Sequence, residues 1–564
     1  MDDLLIQKEH ENDYIKFFEL GNVADAIKTF NDFKNSLEVF YKENNYTEGD
    51  ISKEILALIK SFIRNLNFFG DKYMENENYD NAVLCYSEIL KYLPKDIKTL
   101  SNYVICLYKT GHFETQNKVL NYLLEIIPKD DYKIYRKLVQ VYSSIDDFEK
   151  FTVYLKKYIK KCPKNVLDEG EYAIIGKFYK DLFLKSKDIK YCHKAKTYLK
   201  KGLLINNNSV LILEILQYVY LYLNENNSSI DCAKKLLKLG INSVDNMMML
   251  SYALFKNKNF KDFYKYFDYR LKQDEALLFL QTFVKNKPQW KGEDLSDKIL
   301  LIFCGHGFGD TILMSGYIPR LSKLAKKVVF LVQAELYELF KDNDWDIEII
   351  SANSDFNIDF DYYMPSMSIM SVLNLDETNI SVGAGYIKAD KELVQIYKDK
   401  YFNNDKLKIG ISLSGKTTYL KNGVMSFRNI PTKEFLPLDD LDNIELYVLQ
   451  KDLAEGSFKD FKRNNVNNLS DKLSNFNDTA AFIENCDLII SSDNVILNLA
   501  GAMGKKTFGI FNWYFSWRWY DLTGEDVGWY TSVKPFVNTS MNDWQSSMTS
   551  VIEEIKKILK ERFS

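Results

Sequence analysis

Ile299-Leu300-Leu301-Ile302-Phe303-Cys304-Gly305-His306-Gly307-Phe308-Gly309-Asp310-Thr311-Ile312-Leu313 is the stretch on which this chain divides. A run of β-formers ends in three alternating glycines, an acidic residue follows, and a helical pattern begins. That is the strand–loop–helix opening of an α/β fold, whose first loop usually faces a ligand. Sequence before it reads as helix throughout, and sequence after it alternates strand with helix.

Toward the N-terminus, Pro94, Pro128 and Pro163 recur at intervals of 34 and 35 residues, the period of tetratricopeptide (TPR) helix pairs. In the repeat ending at Pro94, Gly70, Tyr73, Ala82 and Tyr86 fall where small residues bring two helices together and aromatics fill the gap between repeats. Gly21, Ala26 and Phe30 mark an earlier copy. Later copies are degenerate: Gly111 marks a turn, but Val104 and Gln116 stand where Gly and Ala belong. Ala195, Tyr198, Leu199 and Gly202 share one helix face. A solenoid of this kind offers a concave surface to a protein or peptide, or serves as a rigid spacer or dimerisation arm. The stretch Asn286-Lys287-Pro288-Gln289-Trp290-Lys291-Gly292-Glu293 reads as a linker. Its Trp predicts that the two halves are docked.

Toward the C-terminus, strands are expected at 299–303, 328–332, 347–350 and 362–364. A second series follows at 408–413, 445–449, 488–490 and 507–511, and residues 543–563 form a terminal amphipathic helix. Two β–α series predict parallel sheets in two Rossmann-like lobes with a cleft between them. The expected organisation is a TPR-like helical repeat domain (1–275), a linker (276–297), an N-terminal Rossmann-like lobe (298–395), a C-terminal Rossmann-like lobe (396–540) and a C-terminal helix (541–564).

The totals exclude several classes. Lys+Arg 74 against Asp+Glu 78 lacks the basic footprint of a nucleic-acid binder. No apolar run approaches a membrane span, and Met1-Asp2-Asp3 lacks the basic start of a signal peptide. Seven scattered Cys and four His point to reduced thiols in the cytoplasm and provide no zinc site.

Several segments together resemble the heptosyltransferase-like glycosyltransferases of GT-B fold, in the branch that carries N-terminal tetratricopeptide repeats. They are Phe267-Asp268-Tyr269-Arg270, Pro288-Gln289-Trp290-Lys291-Gly292-Glu293, Gly307-Phe308-Gly309-Asp310-Thr311-Ile312, Tyr317-Ile318-Pro319 and Asp361-Tyr362-Tyr363-Met364-Pro365. Further on come Arg428-Asn429-Ile430-Pro431, Cys486-Asp487-Leu488-Ile489-Ile490-Ser491-Ser492-Asp493, Asn498-Leu499-Ala500-Gly501-Ala502-Met503-Gly504, Trp517-Arg518-Trp519 and Trp529-Tyr530. The resemblance implies a nucleotide-sugar donor, transfer to an acceptor hydroxyl, an inverting and metal-independent reaction, and no cofactor.

Two loops then carry the chemistry. The acceptor-side loop, Gly305, Gly307, Gly309 and Thr311, presents backbone N–H groups at a helix start. Its Asp310 matches the family's proposed general base, which a hydroxyl nucleophile needs. The alternative is a helix cap. His306 titrates near neutral pH and either assists or is structural. On the donor side, Ser414, Gly415, Lys416, Lys421 and Arg428 form a small cationic loop after a strand, suited to a leaving diphosphate. Asp493, Asn494 and Asn498 open the helix after 488–490. The family usually has Thr and His where this chain has Asn494 and Asn498. Asp359 and Asp361 spell D-x-D, a metal-binding pattern in other glycosyltransferases, at a plain strand end of this family. Trp517 and Trp519 either flank the nucleotide or sit in the core. The acceptor is expected to be a protein recruited by the repeats, with a lipid-linked saccharide as an alternative. A binding scaffold with an inactive lobe is the reading from a different class. A dinucleotide oxidoreductase, from Gly305, Gly307, Gly309 and Glu335, fails on glycine spacing.

Overall fold

The computed structural model describes residues 13–564, apart from 45–46, 129–130, 164–166, 273–283, 285–286, 306, 354–357, 415–427, 452–459 and 462–465. The chain forms two compact units, Met1–Ser186 and Lys187–Ser564.

The first unit is helical. Glu48–Glu75 pairs with Tyr79–Tyr92, Ile97–Lys109 with Phe113–Ile126, and Tyr132–Ser144 with Phe148–Lys161, before Glu169–Ser186. The sequence pattern accounts for the pairing. A Cβ on Gly70 would lie 3.0 Å from the Tyr86 ring and 3.2 Å from Cys85 Cβ, so the small residue permits the approach. Ala82 and Tyr86 are fully buried, and Tyr73 donates its hydroxyl to Phe18 O. Gly111 takes φ +78° at the turn, a conformation glycine adopts without steric cost. Val104 and Gln116 occupy the degenerate positions and are nonetheless buried.

The second unit begins with five more helices, Ile189–Ile205, Val210–Tyr222, Asn226–Lys238, Val244–Lys256 and Phe260–Phe267. Two wholly parallel sheets follow. The first has the order β3-β2-β1-β4, with β1 Ile299–Phe303, β2 Lys327–Val332, β3 Glu348–Ser351 and β4 Tyr362–Pro365. The second has the order β10-β9-β8-β5-β6-β7, with β5 Leu407–Ser412, β6 Ile444–Val448, β7 Val466–Asn468, β8 Leu488–Ser492, β9 Thr507–Phe511 and β10 Val533–Val537. Both sheets bury both faces, so their inner strands are near-continuous apolar runs. In β1, Leu300 and Ile302 face one core and Leu301 and Phe303 the other. The two strands the sequence did not announce, β7 and β10, are the edges of the second sheet. β7 is short and polar, and β10 carries Pro535, which an edge tolerates because no ladder donor is needed there.

In each sheet the chain doubles back beside the first strand of the lobe, between β1 and β4 and between β5 and β8. Parallel sheets bind ligands beyond the carboxyl ends of their strands at this switch point. The C-terminal helix, Trp544–Phe563, covers the second sheet with Trp544, Met548, Val551 and Ile555. Trp290 is buried, and its backbone N–H donates to Tyr363 O of β4 at 2.9 Å. The linker thus packs along the first sheet.

Candidate active site

Helix Phe308–Ser315 starts directly after the β1 loop, with Gly307 as its N-cap and Asp310 in its first turn. Thr311 is fully buried and donates its hydroxyl to Gly307 O at 3.3 Å. It fastens the loop and does not face solvent. Gly305 O accepts from Gln333 Nε2 at 2.7 Å. Gly309 serves close approach: a Cβ there would lie 2.9 Å from Asn498 Nδ2. Helix Phe308–Ser315 of the first lobe therefore packs directly on helix Val495–Ala502 of the second.

Asp310 does not stand alone as a cap. Arg518 forks onto it, Nε donating to Oδ1 and Nη2 to Oδ2, each at 2.5 Å. Bidentate guanidinium–carboxylate pairs are among the stronger polar contacts in proteins. Burial disfavours the charge on Arg518, but the Asp310 carboxylate outweighs it and Asp493 adds to it, so the guanidinium is held protonated. Asp493, from the turn after β8, pairs with Arg428 Nε at 3.2 Å. Asp310, Arg518, Asp493 and Arg428 thus make an alternating set of charges at the carboxyl ends of β1, β5 and β8.

The rest of the donor-side set is engaged in holding this corner together. Asn494 caps helix Val495–Ala502, its Oδ1 accepting from Ile496 N at 2.8 Å. Its Nδ2 donates to Ser412 Oγ, Ser492 Oγ and Ser414 O at 3.0–3.2 Å. It therefore bridges β5 to β8 across the switch point. Asn498 donates to Asn494 O at 2.9 Å and accepts from Tyr530 Oη at 3.0 Å. Both Asn side chains point into protein. Ser414 is fixed by Gln450, whose Oε1 accepts from Leu413 N and Ser414 N at 3.0 Å and whose Nε2 donates to Ser414 Oγ at 2.9 Å. His306, Gly415, Lys416 and Lys421 lie outside the described residues.

Asp359 and Asp361 diverge. Asp361 Oδ2 accepts from Ile299 N at 2.8 Å, while Asp359 is exposed beside Lys287. Among the described residues no cluster of three His, Cys, Asp or Glu could hold a metal ion. Trp519 and Trp529 are core residues, and Trp529 Nε1 donates to Arg518 O at 2.7 Å. Trp517 stacks on Tyr252 of helix Val244–Lys256 with centroids 5.1 Å apart and planes at 6°. The repeat helices thereby buttress the segment that carries Arg518. Sequence reasoning placed Arg518 in a motif without a role and missed Gln450. Arg518 lies 208 residues from Asp310, and no local pattern joins the two.

No family model matches the chain, and no curated protein does. Solved structures of the two kinds the sequence points to do match. One is a glycosyl transferase family 9 protein from Veillonella parvula, 12% identical, covering 48% of this chain and 100% of its own, with a TM-score of 0.38. Another is the ADP-heptose LPS heptosyltransferase II of E. coli, 10% identical over 47% of this chain and 100% of its own, with a TM-score of 0.32. A TPR protein of Thermus thermophilus is 16% identical over 40% of this chain and 97% of its own, with a TM-score of 0.26. Likeness at this level carries nothing about chemistry, which rests on the geometry above.

Proposed function

We propose that the chain is a glycosyltransferase that moves a sugar from a nucleotide-sugar donor to a hydroxyl of an acceptor. One observation carries the reading: Asp310 of the first lobe and the Arg428–Asp493 pair of the second meet around Arg518, at the carboxyl ends of the first strands of two parallel sheets. That is where a reaction joining two substrates across two lobes needs its base and its countercharge.

The donor diphosphate would sit beyond β5 and β8, with Arg428 and Arg518 supplying positive charge. The acceptor oxygen attacks the anomeric carbon as Asp310 takes its proton. The bond from that carbon to the diphosphate breaks, and the nucleoside diphosphate leaves with the electron pair. The two guanidinium groups stabilise charge developing on the leaving group without calling on a metal. The sequence resemblance supports this assignment, and the helical repeats support a protein acceptor.

A scaffold with an inactive lobe is favoured by one observation: Asn494 and Asn498 spend their side chains on protein partners. The full chain offered a panel of nucleotide sugars separates the readings. Release of nucleoside diphosphate, with transfer to peptide, supports the transferase. Asp310→Ala should lower turnover about 10²–10⁴-fold, the usual contribution of a general base, while donor binding persists. Transfer to lipid-linked saccharide alone would overturn the protein acceptor. Absence of any nucleotide binding would leave the scaffold.

A further inference from the structure

We infer that Arg518 is a donor-gated clasp: it holds Asp310 in the unliganded chain and passes to the donor's diphosphate, so that the base is released only after the donor has bound. The inference rests on the transferase reading and adds an order of binding to it.

Three features point to it. Both carboxylate oxygens of Asp310 are engaged by Arg518, so the group proposed to take a proton is occupied by a cation. The backbone of Arg518 is pinned, by Trp529 Nε1 on its carbonyl, by Trp517 stacked on Tyr252, and by buried Trp519. Only its side chain is left to move, by rotation about single bonds. That side chain is partly open to solvent, with 26% of it exposed. It also has a second anion in its field, Asp493, which Arg428 already pairs. The guanidinium thus holds the acceptor-side carboxylate while lying in the field of the anion that follows β8.

A diphosphate at that switch point brings two negative charges against the one of Asp310. It also offers phosphate oxygens that a guanidinium fork matches in shape. Transfer of Arg518 to the phosphate leaves Asp310 with both oxygens free for the acceptor hydroxyl. The acceptor would then meet a competent base only in the donor complex. The device needs no lid and no movement of a loop.

The test is binding of ADP, GDP, UDP and CDP, each titrated calorimetrically into the full-length chain and its variants. If Asp310 competes for Arg518, Asp310→Asn removes the competitor and should tighten the bound nucleotide about tenfold, because the competent state no longer has to be drawn from a minor population. Arg518→Gln should weaken it by a similar factor. In the double variant the gain from Asp310→Asn should vanish. A gain that persists in the Arg518→Gln background would be a simple charge effect and would overturn the clasp, as would an Arg518→Gln chain that binds as the parent does. Either result leaves the transferase reading intact. Failure of every chain to bind any of the four nucleotides would sink both. If Asp310→Asn does not fold, Asp310→Ser carries the same expectation.

Discussion

Gly501 shows how closely the second lobe is packed. It lies in helix Val495–Ala502, where alanine would ordinarily be better than glycine by roughly 1 kcal/mol. Here a Cβ would stand 2.6 Å from Cγ of the buried Tyr530 ring. Displacing that ring also breaks the bond from Tyr530 Oη to Asn498 Oδ1. The packing term therefore decides the sign. Gly501→Ala should destabilise the chain by about 1–3 kcal/mol, the usual cost of overpacking, measured by denaturant unfolding. The Asn498 amide lies against Gly309, and a Cβ on that glycine would stand 2.9 Å from its Nδ2. At this scale Asp493, Arg428 and Asp310 were readable as polar residues beside strand ends. Arg518 was not, because its meaning comes from a partner 208 residues away.

Among the elements, the segment between β9 and β10 couples the last helices to the second lobe. Trp517 packs on Tyr252 and Phe255, Tyr514 on Tyr222, and Asn224 Nδ2 donates to Trp513 O at 2.9 Å. Lys256 belongs to the same contact. Its ammonium donates to Asn224 Oδ1 at 2.8 Å and lies 4.2 Å over the Phe515 ring. Burial pulls its pKa down to about 7. An unfolded lysine titrates near ~10.4. Between those values the unfolded chain binds the extra proton, so stability rises with pH through this window and is lower at and below pH 7. Lys256→Met should therefore raise Tm more at pH 6 than at pH 10, and equal shifts at the two pH values would contradict the assignment. The strand series and the terminal helix were legible because apolar runs and turn residues are local signals. The edge strands β7 and β10 were not, because an edge needs little apolar sequence.

For the whole molecule, the compact units divide the helical part, with helices from Ile189–Ile205 onward grouped with the two sheets. Phe255, Phe263 and Phe267 of the last helices share a core with Trp517, Trp519 and Trp529. A fragment comprising 187–564 should fold cooperatively and keep the nucleotide affinity of the full chain. A fragment beginning at 276, where sequence places the end of the repeats, would lose those phenylalanines, uncover Trp517 and the core it packs on, and should aggregate. Size-exclusion chromatography and thermal melting of the two fragments check this, and a monomeric, cooperatively melting 276–564 would show that the last helices are dispensable. All seven cysteines are free thiols, so no cross-link enters either expectation. No described helix is long and apolar enough to cross a membrane.

Sequence alone determined the order of the architecture: helix pairs at a 34-residue spacing, a loop-bearing first strand at 299–303, a second α/β series, and a terminal helix. Each rests on periodicity or on turn chemistry, which act over a few residues and leave a mark in a short window. Tertiary structure alone decided which residues share the corner between the lobes. It set Arg518 on Asp310, turned Asn494 and Asn498 inward, separated Asp359 from Asp361, and brought Tyr252 beneath Trp517. Those contacts join strand ends and helices far apart in the chain. They depend on the doubling back of two sheets and on the close approach that Gly309 and Gly501 permit, and no local pattern encodes either.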